Sequence, residues 1–307
     1  MTSVGIAILT LNGEIELRQL LSRLTVEEGA DRVVVVDSES TDGTQACVAA
    51  YPFVEFLQIS RADFNHGATR EMARKHLKTD IVVFLTQDVI PRAGFLKTLV
   101  QPIAEGEVAA TYSRQLPHEG ASFFEAFPRY YNYPATGHRR TIDDVTKYGV
   151  FTFFCSDSCA AYSNAALDSI GGIAPILTNE DYFAVAKLLS AGYAIEYVAD
   201  SQVHHSHTYT LSAEFRRYFD TGYVRGEFPW VSELAGQAEG HGSGFLKAML
   251  LELIRKKPLL LPFAVAQTAV KWFGYRIGFL GPKLPKSWCR AMSSQRYFWD
   301  SKYCNRP

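Results

Sequence analysis

Cysteine is scarce: the 307 residues hold five (Cys47, Cys155, Cys159, Cys289, Cys304), an odd number with no C-x-x-C spacing. That argues against a disulfide framework or a zinc ribbon. Phosphate loops are missing too. No G-x-x-x-x-G-K-[ST] occurs, and "TLNGE" stands after the first strand-like run where a dinucleotide fold would carry G-x-G-x-x-G. There is no low-complexity tract and no visible repeat. The start, M-T-S-V-G-I-A-I-L, lacks the basic and apolar regions of a signal peptide. The expectation is a cytoplasmic, reducing location.

Strand-like apolar runs, by contrast, are plentiful. Val4–Leu9, Val33–Val36, Val54–Ile59 and Ile81–Leu85 alternate with helix-like stretches around 15–24, 44–50, 68–77 and 94–100. Strand and helix in alternation predict an α/β fold with a mainly parallel sheet and flanking crossover helices. From about 114 to 150 the pattern dissolves into an aromatic, polar stretch that reads as a long loop with short helical pieces. Order returns near "YGVFTFFCSD", with a helix near 181–191, a strand near 194–198 and a helix near 212–221. Charge divides the chain further. Residues 1–244 hold 19 Lys+Arg against 30 Asp+Glu, net −11, and residues 245–307 hold 12 against 2, net +10. A basic segment of this kind suits an anionic partner, nucleic acid or a membrane surface.

Four acidic or histidine-bearing segments could carry chemistry. Asp37 ends a buried run in "VVVVDSESTDGT", with Ser38, Ser40 and Asp42 in the turn beyond. The spacing fails as an EF-hand, and the plain alternative is an Asx-type turn with a helix cap. Asp88 follows the fourth run in "FLTQDVIP", at the carboxyl edge where open α/β sheets bind ligands; it could equally cap the next turn. Glu180 and Asp181 in "TNEDYFAVAKLL" either do chemistry or favour the positive end of a helix. In "SQVHHSH", His205 and His207 alternate by two and so share one side of an extended chain.

In this order, an acid after the second strand, an Asp after the fourth, an E-D pair opening a later helix and a His about two dozen residues on, the chain resembles family 2 glycosyltransferases of the GT-A (Rossmann-like) fold over about residues 3–225. "FNHGATRE" (64–71), "NEDYFAVAKLLSAGY" (179–193), "VHHSHTYTL" (203–211) and "RRYFDTGYVRG" (216–226) are similar to the bacterial dTDP-rhamnosyltransferase subgroup, which often has Asn where Glu71 stands. The resemblance implies inverting transfer of L-rhamnose from dTDP-β-L-rhamnose. Asp88 would ligate a divalent cation, Mn2+ or Mg2+, with His205 favoured over His207 as its partner; imidazole tilts the choice toward Mn2+. Asp181 would be the base, beside Glu180. Thr10, Leu11, Asn12, Asp37, Ser38, Ser40, Asp42, Asn65, His66, Gly67 and Gln87 would hold the donor. Arg70 would bind a phosphate or the sugar, or else form a salt bridge, and Asp157, Arg216 and Arg217 would face the acceptor.

The expected organisation is a catalytic domain over 1–244, with a nucleotide half (1–113) and an acceptor half (114–244), followed by a helical basic and apolar tail over 245–307. "KKPLLLPFAVAQTAVKWFGYRIGFLG" is broken by Pro262, Lys271 and Arg276, which fits an interfacial helix better than a spanning one. The alternatives are a helix packed on the catalytic domain and a contact between copies in a homo-oligomer. The implied partners are the nucleotide sugar, a polyprenyl-diphosphate-linked or other glycan acceptor, and the inner face of an anionic membrane, with no nucleic acid. A sugar nucleotidyltransferase and an inactive GT-A binding subunit are the competing readings. The first lacks its usual Gly-rich basic loop here, and the second has to explain why Asp37, Asp88, Asp181 and His205 are all present.

Overall fold

The computed structural model describes residues 2–24, 29–236 and 240–306. The chain forms two compact units. The first comprises Met1–Ile142, Phe153–Ala174 and Glu180–His207; the second comprises Asp143–Thr152, Pro175–Asn179 and Thr208–Pro307. The main division along the chain thus falls near 207 rather than at the charge boundary of 244.

The first unit begins as the apolar runs dictate. β1 (Val4–Thr10), α1 (Glu14–Arg23), β2 (Arg32–Asp37), α2 (Thr44–Ala49), β3 (Val54–Gln58), α3 (His66–Leu77) and β4 (Ile81–Thr86) follow in order. Their strands pair in parallel as β3-β2-β1-β4. β1, β2 and β4 are buried along nearly their whole length, which is why they read as unbroken apolar runs rather than alternating ones.

Beyond β4 the sheet becomes mixed. β5 (Ile90–Pro91), α4 (Phe95–Ala104), β6 (Ala110–Leu116), α5 (Phe123–Asn132) and β7 (His138–Arg140) come next. After α6 (Val145–Tyr148), a single turn of the second unit, come β8 (Cys159–Ser163), α7 (Asn164–Ser169), α8 (Glu180–Ser190) and β9 (Ile195–His204). β8 runs antiparallel between β4 and β6, while β6 and β9 are parallel. The "YGVFTFF" stretch is a short helix and a 3-10 turn, with the strand itself starting at Cys159.

Two pairings fix the geometry at the carboxyl edge of the sheet. β5 joins β9 antiparallel, with Ile90 opposite His204. The β6–β9 register jumps between Ser113, opposite Val198, and Arg114, opposite Gln202. Three residues of β9 therefore stand outside the ladder, an odd number, so the side-chain alternation reverses beyond them. Ser201 inside this bulge donates to the Phe95 carbonyl (2.9 Å) and lies 2.7 Å from the Ser113 hydroxyl.

The second unit is helical: α9 (Leu211–Glu227), α10 (Trp230–Ala235), α11 (Gly240–Lys256), α12 (Leu261–Leu280) and α13 (Lys286–Met292). α9 and α12 pack backbone to backbone through glycines. A Cβ on Gly222 would lie 2.1 Å from the Tyr275 carbonyl oxygen, and one on Gly278 would lie 2.0 Å from that of Phe219. This close approach turns Lys271 inward to Glu214 (3.1 Å) and leaves Val265, Trp272, Phe273, Phe279 and Leu280 exposed. Small residues of α12 therefore face α9, and its outer face is apolar with Arg276 beside Trp272. Gly278→Val should separate the two helices and cost about 3 kcal/mol or more; an unchanged urea midpoint would refute this packing.

Candidate active site

Asp88 lies two residues before β5, and His205 follows the last residue of β9. The Ile90–His204 pair therefore brings them together across the sheet. The Asp88 Oδ2 atom is 3.5 Å from His205 Nε2 and 3.0 Å from His207 Nε2, and the two Nε2 atoms are 2.9 Å apart. His205 Nδ1 is 2.9 Å from Gln115 Oε1 on β6. That contact is a hydrogen bond only if Nδ1 carries the proton, which leaves Nε2 a bare lone pair. Three lone-pair-bearing atoms then share at most one N–H, from His207. A carboxylate and two imidazoles in mutual contact with so few protons between them fit a divalent cation. Burial pushes the His205 pKa down to about 4, keeping the ring neutral as a ligand must be. For Asp88 burial acts the other way, but contacts with His205 and His207 prevail and hold it well below the usual carboxylate range.

A second cluster surrounds Arg70 of α3. This buried guanidinium pairs with Asp157 (Nε to Oδ2, 3.2 Å) and with Glu180, and stacks 5.8 Å above the Phe84 ring. Of the two readings the sequence left open, the contacts made by Arg70 are those of the salt bridge. Asp157 also accepts the Tyr162 hydroxyl (2.7 Å), and its backbone N–H donates to Asp181 Oδ2 (3.3 Å). Two carboxylates thus share one cation, while Asp181 beside them has no salt-bridge partner among the described residues. Its pKa is raised well above the carboxylate range, by burial first and then by the charges of Asp157 and Glu180, against the pull of Arg70. Asp157 is raised as well, chiefly by burial, which Arg70 offsets in part. A carboxyl with elevated proton affinity in a pocket is suited to general base work near neutral pH.

The expected donor residues gather at the carboxyl ends of β1, β2 and β4 and are held by one another. Gln87 Oε1 accepts from the Thr10 hydroxyl (2.7 Å) and the Leu11 N–H (3.0 Å). Ser38 donates to the Thr10 carbonyl (3.1 Å), Asp37 accepts from the Ser40 N–H (2.9 Å), and Ser40 Oγ accepts from the Asn12 N–H (2.8 Å). Asn12 holds a left-handed φ of 48°. The other members do local work. Asp42 accepts from the N–H groups of Thr44 (3.0 Å) and Glu14 (3.2 Å), and Asn65 caps α3 through the Ala68 N–H (3.0 Å). A Cβ on Gly67 would lie 2.0 Å from the Ala174 carbonyl oxygen, so glycine here permits a close backbone approach. His66 stays neutral, with burial lowering its pKa to about 4. Glu71 pairs with Arg74 (2.6 Å) and accepts the Ile173 N–H (2.9 Å), an anchoring role. Arg216 and Arg217 belong to the second unit, where Arg216 donates to the Ala291 carbonyl (2.5 Å) and Arg217 stacks 4.0 Å over Tyr209.

Sequence reasoning passed over Gln115 and Tyr162. Neither falls in a motif, and only the pairing of β6 and β8 with their neighbours brings them to the site.

The Glycosyl transferase family 2 profile matches residues 6–171. Two curated relatives match over most of the chain. O-antigen chain rhamnosyltransferase RfbN of Salmonella typhimurium is 35% identical, covering 88% of this chain and 87% of its own. O-antigen chain rhamnosyltransferase WbaN of Salmonella anatum is 36% identical, covering 88% and 86%. Among solved structures, a mannosyltransferase from Pyrobaculum calidifontis in complex with GDP-Man and Mn2+ has the same fold, with a TM-score of 0.62 at 17% identity over 92% of this chain and 88% of that one.

The Arg70 cluster makes a stability prediction. Arg70→Met strands two buried carboxylates and should destabilise the protein by about 3–5 kcal/mol. Thermal or urea unfolding at neutral pH would show it, and wild-type stability would rule the ion pairs out as a structural keystone.

Proposed function

The chain belongs to glycosyl transferase family 2, and from that premise we propose that it transfers L-rhamnose from dTDP-β-L-rhamnose, with inversion, onto a glycan acceptor in O-antigen assembly. The observation that carries this reading is the 35–36% identity, along 88% of the chain, to two O-antigen rhamnosyltransferases. The site is consistent with it. The Asp181 carboxylate takes the proton of the acceptor hydroxyl as that oxygen bonds to the anomeric carbon. The bond from that carbon to the donor diphosphate breaks on the opposite face, and the nucleoside diphosphate departs. Glu180 and Asp157 keep Asp181 basic, and Arg70 limits the repulsion among the three. A positioned base of this kind contributes about 10²–10⁴ in rate. Thr10, Leu11, Asn12, Asp37, Ser38, Ser40 and Gln87 line the donor side. Asp88, His205 and His207 would hold a divalent cation, Mn2+ or Mg2+, which supplies positive charge against the diphosphate when bound.

A panel of nucleotide sugars, assayed with and without Mn2+, tests the reading. dTDP-rhamnose should be consumed in a cation-dependent manner. Asp181→Asn should abolish transfer while donor affinity stays within about threefold. Because burial and the neighbouring carboxylates raise the Asp181 pKa to about 8, wild-type activity should fall as pH drops through that value. Turnover of Asp181→Asn near wild type would exclude this residue as the base.

We place the enzyme at the inner face of the cytoplasmic membrane, where a polyprenyl-diphosphate-linked acceptor would lie. No helix among the described residues is long and apolar enough to cross a membrane. Support comes from the outer face of α12, where Trp272 is 56% and Phe273 54% exposed, with Leu259 nearby in sequence at 93%. Twelve basic and two acidic residues over 245–307 give this segment the sign that attracts anionic lipid. Flotation with phosphatidylglycerol vesicles should retain the full chain at low salt and lose Trp272→Ala/Phe273→Ala, with the melting temperature unchanged. Undiminished flotation of the double variant, or its conversion from a dimer to a monomer, would show that this face meets something other than lipid.

A further inference from the structure

Gln115 is buried on β6, between the two clusters of the site, and each end of its amide has a different partner. Its Oε1 is 2.9 Å from His205 Nδ1, and its Nε2 donates to the Ser156 hydroxyl at 2.8 Å. Ser156 precedes Asp157, whose backbone N–H reaches Asp181. The contact with His205 is framed by backbone pairing. Gln115 stands opposite Val203 in the β6–β9 ladder, and the next ladder bond runs from the His205 N–H to the Leu116 carbonyl at 2.9 Å. Glutamine supplies what this position needs, one acceptor and one donor on a rigid planar group without charge.

We infer that Gln115 is a positioning residue for both halves of the reaction site. Its carbonyl fixes His205 as the Nδ1–H tautomer, presenting Nε2 toward Asp88 and His207, and its NH2 holds the Ser156–Asp157 loop against Asp181. The inference rests on the transferase reading above, and it adds a link between ligand geometry and the base. An outer hydrogen bond to a ligating histidine sets ring orientation and basicity, and its loss commonly costs 10–100-fold in metal affinity. The loop contact acts on the other side: a backbone N–H donated to a carboxylate favours its ionised form.

The tautomer is read first, in the metal-free wild-type protein with 15N-labelled histidine. His205 should be protonated at Nδ1; protonation at Nε2 overturns the proposal without recourse to any variant. Gln115→Leu should then weaken Mn2+ binding, followed by the EPR signal of the free ion, by roughly 10–100-fold. It should also move the acid limb of the pH–rate profile to higher pH. Ser156→Ala should move the limb in the same direction while leaving Mn2+ affinity within about twofold. A folded Gln115→Leu with wild-type affinity overturns the ligand half, and a Ser156→Ala profile that superimposes on wild type overturns the link to the base. Absence of Mn2+ binding by the wild type would count against the cation reading instead, and the tautomer measurement would still decide the role of Gln115.

Discussion

The backbone pairing of Ile90 with His204 is the constraint on which the site depends. It joins residues more than a hundred positions apart, and without it Asp88 would be a carboxylate capping a turn and His205 a histidine at a strand end. The bulge in β9 works with this pairing. By leaving three residues out of the ladder, it resets the strand so that Val203 and His204 meet both β6 and β5. Ser201 fixes the bulge through Ser113 and the Phe95 carbonyl. The metal-type cluster thus stands in the short segments that flank β5 and β9, anchored by the pairing of those two strands.

Charge placement does for Asp181 what strand pairing does for Asp88 and the two histidines. Three carboxyl groups and one guanidinium share a buried space, with Arg70 bonded to two of the three. The third, Asp181, feels the remaining negative field. Its proton affinity is therefore set first by burial and then by these neighbours. Glu180 and Asp157 act as electrostatic supports, and so does Arg70, whose guanidinium pairs with both of them.

Much of this was legible in the sequence, and for identifiable reasons. β1, β2 and β4 are buried on both faces, so their Val and Ile runs announce themselves. The acids Asp37 and Asp88 could be placed at strand ends by chain order alone. β6 and β8 were not visible because their buried positions mix small and polar residues (Ala110, Ser113, Gln115, Ala160, Ala161) with Tyr112 and Tyr162, so neither reads as an apolar run nor alternates cleanly. The division at 207 was hidden because charge, which changes sign at 244, marks a surface rather than a fold boundary. Asp42, Asn65 and Gly67 belong to motifs expected to hold the donor, yet their contacts are a turn, a cap and a tight backbone crossing. Motif membership marks where a loop must take a given shape without saying which of its atoms meets the ligand.

β5 has one more consequence. It closes the sheet path at that side, so its outer edge would ordinarily be a template on which a strand of another chain could add. Here the strand is only two residues long, one of them is Pro91 with no N–H to offer, and the Arg92 N–H already donates to the Gln202 carbonyl at 3.0 Å. The segment that brings Asp88 to the histidines is therefore also a stop against strand addition. The sheet can therefore end beside this cluster without exposing a sticky edge.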